Sequence, residues 1–170
     1  MVDTLSLNGA WTLEEACGVQ QIPAQVPGSV LNDLTNNHLI PDPFVGENEL
    51  ITTPLFDRDY AYQRTFQVNA AFLAREHVEL LFEGLDTLAT VYVNGQEIGK
   101  ADNMHRSWRF DVKRALHSGE NRLRVVLASP NQFLKKAIAD HPDVTYEAVG
   151  TMRGNFALRK AHCMFGWDWG

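Results

Sequence analysis

The sequence predicts an all-β protein: an antiparallel β-sandwich of jelly-roll type with one or two short helices. Three observations lead there. Apolar and polar side chains alternate with a period of two in several separated runs, as half-buried strands require. An Asn94-Gly95 pair stands between two such runs, and Asn-Gly accepts the positive φ angles of a type I′ hairpin turn. The helical signals are short and few, without the regular strand–helix alternation of a parallel α/β sheet.

Taken along the chain, Asp3–Leu7 and Trp11–Glu14 predict an N-terminal strand or pair. Pro27-Gly28-Ser29 followed by Val30, Leu31 and Leu34 predicts a helix of two or three turns with Ser29 as its N-cap. Tyr60, Tyr62, Arg64, Phe66 and Val68 alternate with Ala61, Gln63, Thr65 and Gln67, giving a strand whose aromatic and apolar face is interrupted by Arg64. From Glu79 to Val93, two β-rich runs flank a Gly84-Leu85-Asp86 turn, and Val91–Val93 leads through Asn94-Gly95 into Gln96–Ile98. Trp108, Phe110 and Val112 alternate with Arg109, Asp111 and Lys113; Leu123, Val125 and Leu127 follow a turn at Ser118–Asn121. Pro130, Phe133, Leu134, Ala137 and Ile138 have helical spacing, ended near His141-Pro142. The inward residues of the two sheets are expected to include Phe66, Val78, Leu80, Phe82, Val91, Val93, Phe110, Leu123 and Val125.

Length and composition bound the possibilities. A chain of 170 residues, 45% hydrophobic and 21% charged, is that of one globular domain spanning 1–170 and not of a disordered or low-complexity protein. Its net charge of −6 disfavours a nucleic-acid partner. No apolar run approaches the ~18–20 residues of a membrane helix, and Met1–Thr4 lacks the character of a signal peptide, so the expected location is cytoplasmic and off the membrane. Cys17 and Cys163 are far apart and outside any paired spacing, which predicts reduced thiols. The final residues hold two of the four Trp and have no closing polar tail, so the C-terminal end reads as cut.

Few residues could carry chemistry. There is no G-x-S-x-G elbow, and Cys163 beside His162 reads as a packed thiol. Phosphate-cradling glycine loops are lacking, and the six His fall at no ligand-like spacing, so neither a cofactor nor a metal is expected. Trp167-Asp168-Trp169 between Gly166 and Gly170 differs. Indole faces pack on the C–H face of a pyranose, and a carboxylate accepts hydrogen bonds from two sugar hydroxyls. The other reading of the same residues is two core Trp and a turn Asp. Arg106, in a loop just before a strand, offers a fork of donors to a ligand or a carboxylate; otherwise it is a solvated surface side chain.

These residues resemble glycoside hydrolase family 2, and within it the β-mannosidase branch. Phe82–Gly95, Ala101–Arg106 and Trp108–Val112 are similar to the signature of the family's N-terminal sugar-binding domain. Val26–Leu34, Ile40–Glu49 and Arg159–Gly170 are similar to the β-mannosidases more than to the β-galactosidase or β-glucuronidase branches. The resemblance covers essentially the whole chain and implies a galactose-binding-like jelly roll. It implies further that the chain precedes an immunoglobulin-like domain and a (β/α)₈ barrel, against which it packs, in an enzyme hydrolysing terminal β-D-mannose residues. Asp168 and Trp167 match family positions reaching the sugar at the −1 subsite, and Arg106 a basic residue near it. No catalytic residue is carried over: retaining hydrolysis needs two carboxylates ~5–5.5 Å apart, and in this family both come from the barrel, beyond residue 170. Asn48-Glu49 imitates the family's Asn-Glu pair but falls in the Ile-Pro-Asp-Pro loop. An independent carbohydrate-binding module and a purely structural domain are the competing readings. The fragment alone is expected to be inactive.

Overall fold

Eight strands and five short helical segments make up the described residues of the computed structural model, which are 3–15, 20–143 and 157–161. The strands are β1 (Gly9–Glu15), β2 (Gln21–Val26), β3 (Tyr60–Val68), β4 (Glu79–Phe82), β5 (Ala89–Val93), β6 (Gln96–Ala101), β7 (Trp108–Asp111) and β8 (Gly119–Leu127). They form a six-stranded sheet in the order β2-β1-β3-β8-β5-β6 and a two-stranded sheet of β4 and β7, with every strand pair antiparallel. The core lies between the two sheets. Leu13, Val91, Val93, Leu123 and Val125 of the large sheet are buried there, and Leu80, Phe82, Trp108 and Phe110 of the small one pack against them. Of the nine expected inward residues, Val78, Val91, Val93, Leu123 and Val125 are buried, and Phe66, Leu80, Phe82 and Phe110 join the same core half-covered.

The sandwich is as expected, and the details depart from the sequence reading in three places. Asp3–Leu7 is not a strand; β1 begins at Gly9. Strand β2 was not anticipated, because Pro23 lies in its middle. It is tolerated because β2 is an edge strand, which needs only one side of its backbone for pairing. The Gly84-Leu85-Asp86 turn does not close a hairpin: β4 pairs with β7, and β5 with β6 and β8, so residues 83–88 carry the chain from one sheet to the other.

The helices also exceed one or two. The two expected ones are present as α1 (Val30–Asn36) and α4 (Pro130–Asp140), with α2 (Glu49–Thr52), α3 (Ala70–Leu73) and a 3₁₀ segment (Thr53–Asp57) in addition. Ser29 Oγ caps α1 by accepting from the Asn32 N–H at 3.2 Å, and Ser129 Oγ caps α4 by accepting from Gln132 N–H at 3.1 Å. The Asn94-Gly95 turn has φ of 51° and 83°, the left-handed pair that type I′ requires.

Two close approaches depend on glycine. A Cβ at Gly28 would stand 2.2 Å from the Gln25 carbonyl oxygen, so no larger residue fits the bend that leads into α1. A Cβ at Gly99 on β6 would stand 2.5 Å from the Phe110 ring, so this glycine lets the small sheet close onto the large one. Behind the Gly28 bend lies a buried polar link. Asp33 of α1 is 3% exposed and accepts from the Tyr62 hydroxyl at 2.7 Å and the Gln25 N–H at 3.1 Å, joining the helix to β2 and β3.

Register fixes which loops share an end. Tyr60 pairs with Leu127, Leu127 with Ala89, and Ala89 with Ala101. The segment entering β3, the 83–88 crossover, the loop leaving β6 and the start of α4 therefore gather at one end of the sandwich. Tight turns such as Asn94-Gly95 occupy the other.

Candidate functional site

The loop end carries the side chains of interest. The chain leaves β6 at Ala101 and turns at Asn103, whose Oδ1 accepts from the His105 N–H at 2.8 Å and whose carbonyl accepts from Trp108 Nε1 at 3.0 Å. These bonds hold both sides of the loop and present Arg106 at its tip. The Arg106 guanidinium lies 4.5 Å from the Trp108 ring centroid. Trp108 is in turn parallel to Phe110, with rings 6.3 Å apart and 7° between planes, and Phe110 meets Phe82 edge-on at 6.1 Å. Arg106 is thus the exposed outer layer of an aromatic stack rooted in the core. A guanidinium held over an indole ring can still offer N–H donors to a hydroxyl or a carboxylate.

The segment Ala157–Ala161 docks on the same loop. Arg159 bridges to Asn103 in parallel, the Met104 N–H donates to the Arg159 carbonyl at 3.0 Å, and the Ala161 N–H reaches Met104 Sδ at 3.0 Å. Beneath it Leu158 is buried against Leu134 of α4, with Leu88 alongside. On its other flank Lys160 pairs with Asp86 of the crossover, and Asp86 also accepts from the Thr87 hydroxyl. The Lys160 side chain is only 15% exposed and Asp86 32%, so this pair is shielded from water more than an ordinary surface pair.

Of the site residues expected from sequence, Arg106 is placed at this end. Trp167 and Asp168 lie outside the described residues, as do Cys17 and Cys163. Ala161 is tied to Met104, two residues before Arg106. The Asp86–Lys160 pair was not foreseen. Its members are 74 residues apart and neither carries a local signal of pairing. Glu49 opens the four-residue α2, exposed, in the connection before β3.

A concavity also lies away from this end. A cavity of about 740 Å³ opens at the opposite end, lined among others by Gln63, Arg64 and Arg122. Its arginines are engaged in the fold: Arg64 donates to the Leu7 and Asn8 carbonyls at 2.8 and 2.7 Å, and Arg122 to the Gln63 side chain. No helix among the described residues is long and apolar enough to cross a membrane.

Comparison with known proteins agrees with this architecture. Residues 11–170 match the family described as glycosyl hydrolase 2 galactose-binding domain-like. The β-mannosidase of Bos taurus is 34% identical over 176 aligned residues, covering 99% of this chain and 20% of that protein. β-Mannosidase B of Thermothelomyces thermophilus is 34% identical over 147 residues, covering 86% and 17%. Among solved structures, the β-D-mannosidase of Dictyoglomus thermophilum superimposes with a TM-score of 0.91 at 42% identity, covering 98% of this chain and 20% of that one. The chain thus spans about a fifth of the length of these relatives.

Proposed function

The chain belongs to the glycosyl hydrolase 2 galactose-binding domain-like family, and on that premise we propose that it is the N-terminal domain of a β-mannosidase. The observation that carries this reading is likeness over nearly the whole chain to proteins named β-mannosidase, at an identity well above the level where only a fold is shared. In this reading an immunoglobulin-like domain and a (β/α)₈ barrel follow in the full-length polypeptide, and the barrel supplies the nucleophile and the acid/base. Retaining hydrolysis of terminal β-D-mannose residues needs those two carboxylates ~5–5.5 Å apart. This domain contributes recognition: Asp168 and Trp167 reach the mannose at the −1 subsite, and Arg106 contributes donors nearby. A cytoplasmic setting suits two cysteines at unpaired spacing.

Two expected results follow from this division of labour. The full-length polypeptide hydrolyses an aryl β-mannoside, whereas the homogeneous 170-residue chain shows no turnover above a buffer blank. Turnover by the chain alone would overturn the reading, and mannose binding by the chain alone would make it an independent sugar-binding module. Arg106→Ala in the full-length polypeptide raises KM for the mannoside about tenfold, the loss of roughly one charge-assisted hydrogen bond. The unfolding midpoint should scarcely move, since a cation–π contact at an exposed site is worth about 0.5–1 kcal/mol. An unchanged KM would return Arg106 to the solvated surface.

A further inference from the structure

The loop that presents Arg106 leans on one short segment. Asn103 bridges in parallel to Arg159, with the Met104 N–H donating to the Arg159 carbonyl, and the Ala161 N–H reaches Met104 Sδ. On the segment's part these contacts use main-chain groups, so this side of the loop is only as fixed as the backbone of residues 159–161.

Two side chains anchor that backbone. Leu158 is buried against Leu134 and Leu88, a contact that holds without directing, since apolar burial is non-directional. Lys160 supplies the directed one, through its pair with Asp86. The Asp86 carboxylate is itself oriented: its Oδ1 accepts from the hydroxyl of buried Thr87, which leaves Oδ2 to accept from Lys160 Nζ. Shielding sets the pair apart. Among the described ion pairs only this one and Glu14–Arg124 are mostly covered; in every other, both side chains are at least 39% exposed. Glu14 and Arg124 sit on β1 and β8, strands that backbone ladders already fix on either side of β3. Lys160 and Asp86 join two connections that share no strand pairing among the described residues, so here the ion pair decides placement.

We propose that Lys160 and Asp86 are a positioning pair for Arg106, holding residues 159–161 where the Arg106 loop can rest on them. The proposal rests on the reading of Arg106 as a sugar-recognition residue and adds the two side chains that keep it in place. They act through the loop and not on the sugar. In a shielded setting each charge depends on the other, because removing one leaves its partner poorly compensated. A recognition group has to be held to within about 0.5 Å, so a loosened loop weakens binding while the sandwich stays folded.

The test uses the full-length polypeptide and an aryl β-mannoside. Lys160→Met, which keeps the length of the side chain and removes its charge, is expected to raise KM about fivefold. Asp86→Asn should do the same, and the double variant should go no further than either alone, since the two side chains act as one unit. Lys160→Arg, which keeps the charge, should stay within about twofold of the unsubstituted polypeptide. In an Arg106→Ala background, Lys160→Met should change KM by less than about twofold, because the group it positions is already gone. A merely structural role has another signature: folded enzyme is lost, kcat per total protein falls and KM stays. Amide hydrogen exchange of residues 103–106 is expected to quicken about tenfold in Lys160→Met, with Val91 and Leu123 of the large sheet unchanged. Unchanged KM with lowered kcat, additive effects of Lys160→Met and Asp86→Asn, a full Lys160→Met effect in the Arg106→Ala background, or unchanged exchange of residues 103–106 would each overturn the proposal. Absence of hydrolysis by the unsubstituted polypeptide, or an unchanged KM in Arg106→Ala, would defeat the functional reading instead, and the exchange result then decides by itself whether the pair holds the loop.

Discussion

Asp168→Ala in the full-length polypeptide is expected to lower kcat/KM for a β-mannoside about a hundredfold to a thousandfold, with the unfolding midpoint nearly unchanged. A carboxylate that accepts from two sugar hydroxyls in a closed pocket gives up two charge-assisted bonds when truncated, and it leaves the hydroxyls without acceptors. Together these cost about 3–4 kcal/mol, which converts to that range of rates. Contacts to hydroxyls at the reacting sugar strengthen as the ring flattens toward the transition state, so part of the loss falls on kcat and not only on KM. Steady-state kinetics with a series of aryl mannosides, beside thermal unfolding of the same variant, separates the outcomes. An unchanged kcat/KM would remove Asp168 from the site. A loss that tracks the unfolding midpoint would make it a structural residue.

Asp33→Ala is expected to cost about 3 kcal/mol of folding stability. The Asp33 carboxyl accepts from both the Tyr62 hydroxyl, in a buried bond, and the Gln25 N–H, in a partly buried one. Truncation leaves both donors unpaired and opens a void between α1 and β3. Urea unfolding measures it, and a loss under 1 kcal/mol would show that water replaces the carboxyl. The same link shapes alkaline behaviour. Burial, then the hydrogen bond to Asp33 and its nearby charge, push the Tyr62 phenol well above its ordinary value near 10. The raised value means that the folded state holds its proton more tightly than the unfolded chain. The stability that follows is fully present below about pH 10 and falls as pH rises beyond it. Tyr60 is also raised by burial, so Tyr62→Phe is expected to flatten the alkaline limb without abolishing it. An equally steep limb in Tyr62→Phe would locate the linkage elsewhere.

Local structure is legible in the chain. Period-two runs such as Tyr60–Val68 state which side chains share a face, Asn94-Gly95 dictates a turn whose φ angles few other pairs accept, and Ser29 and Ser129-Pro130 mark helix starts through bonds three residues long. Family likeness was legible for the same reason, since it rests on contiguous motifs. Tertiary structure alone decided partnership. Period two says which way a residue faces and nothing about which strand lies beside it. β4 accordingly skips β5, its neighbour in sequence, to pair with β7, and the Gly-Leu-Asp turn becomes a crossover. Pro23 argues locally against a strand and is admitted only because β2 has an open edge. Asp33 and Tyr62 are 29 residues apart and Asp86 and Lys160 are 74 apart, distances over which no pattern in the chain records a meeting. Such pairs exist because burying the sheet faces brings their backbones together, after which a buried donor or charge must find its complement.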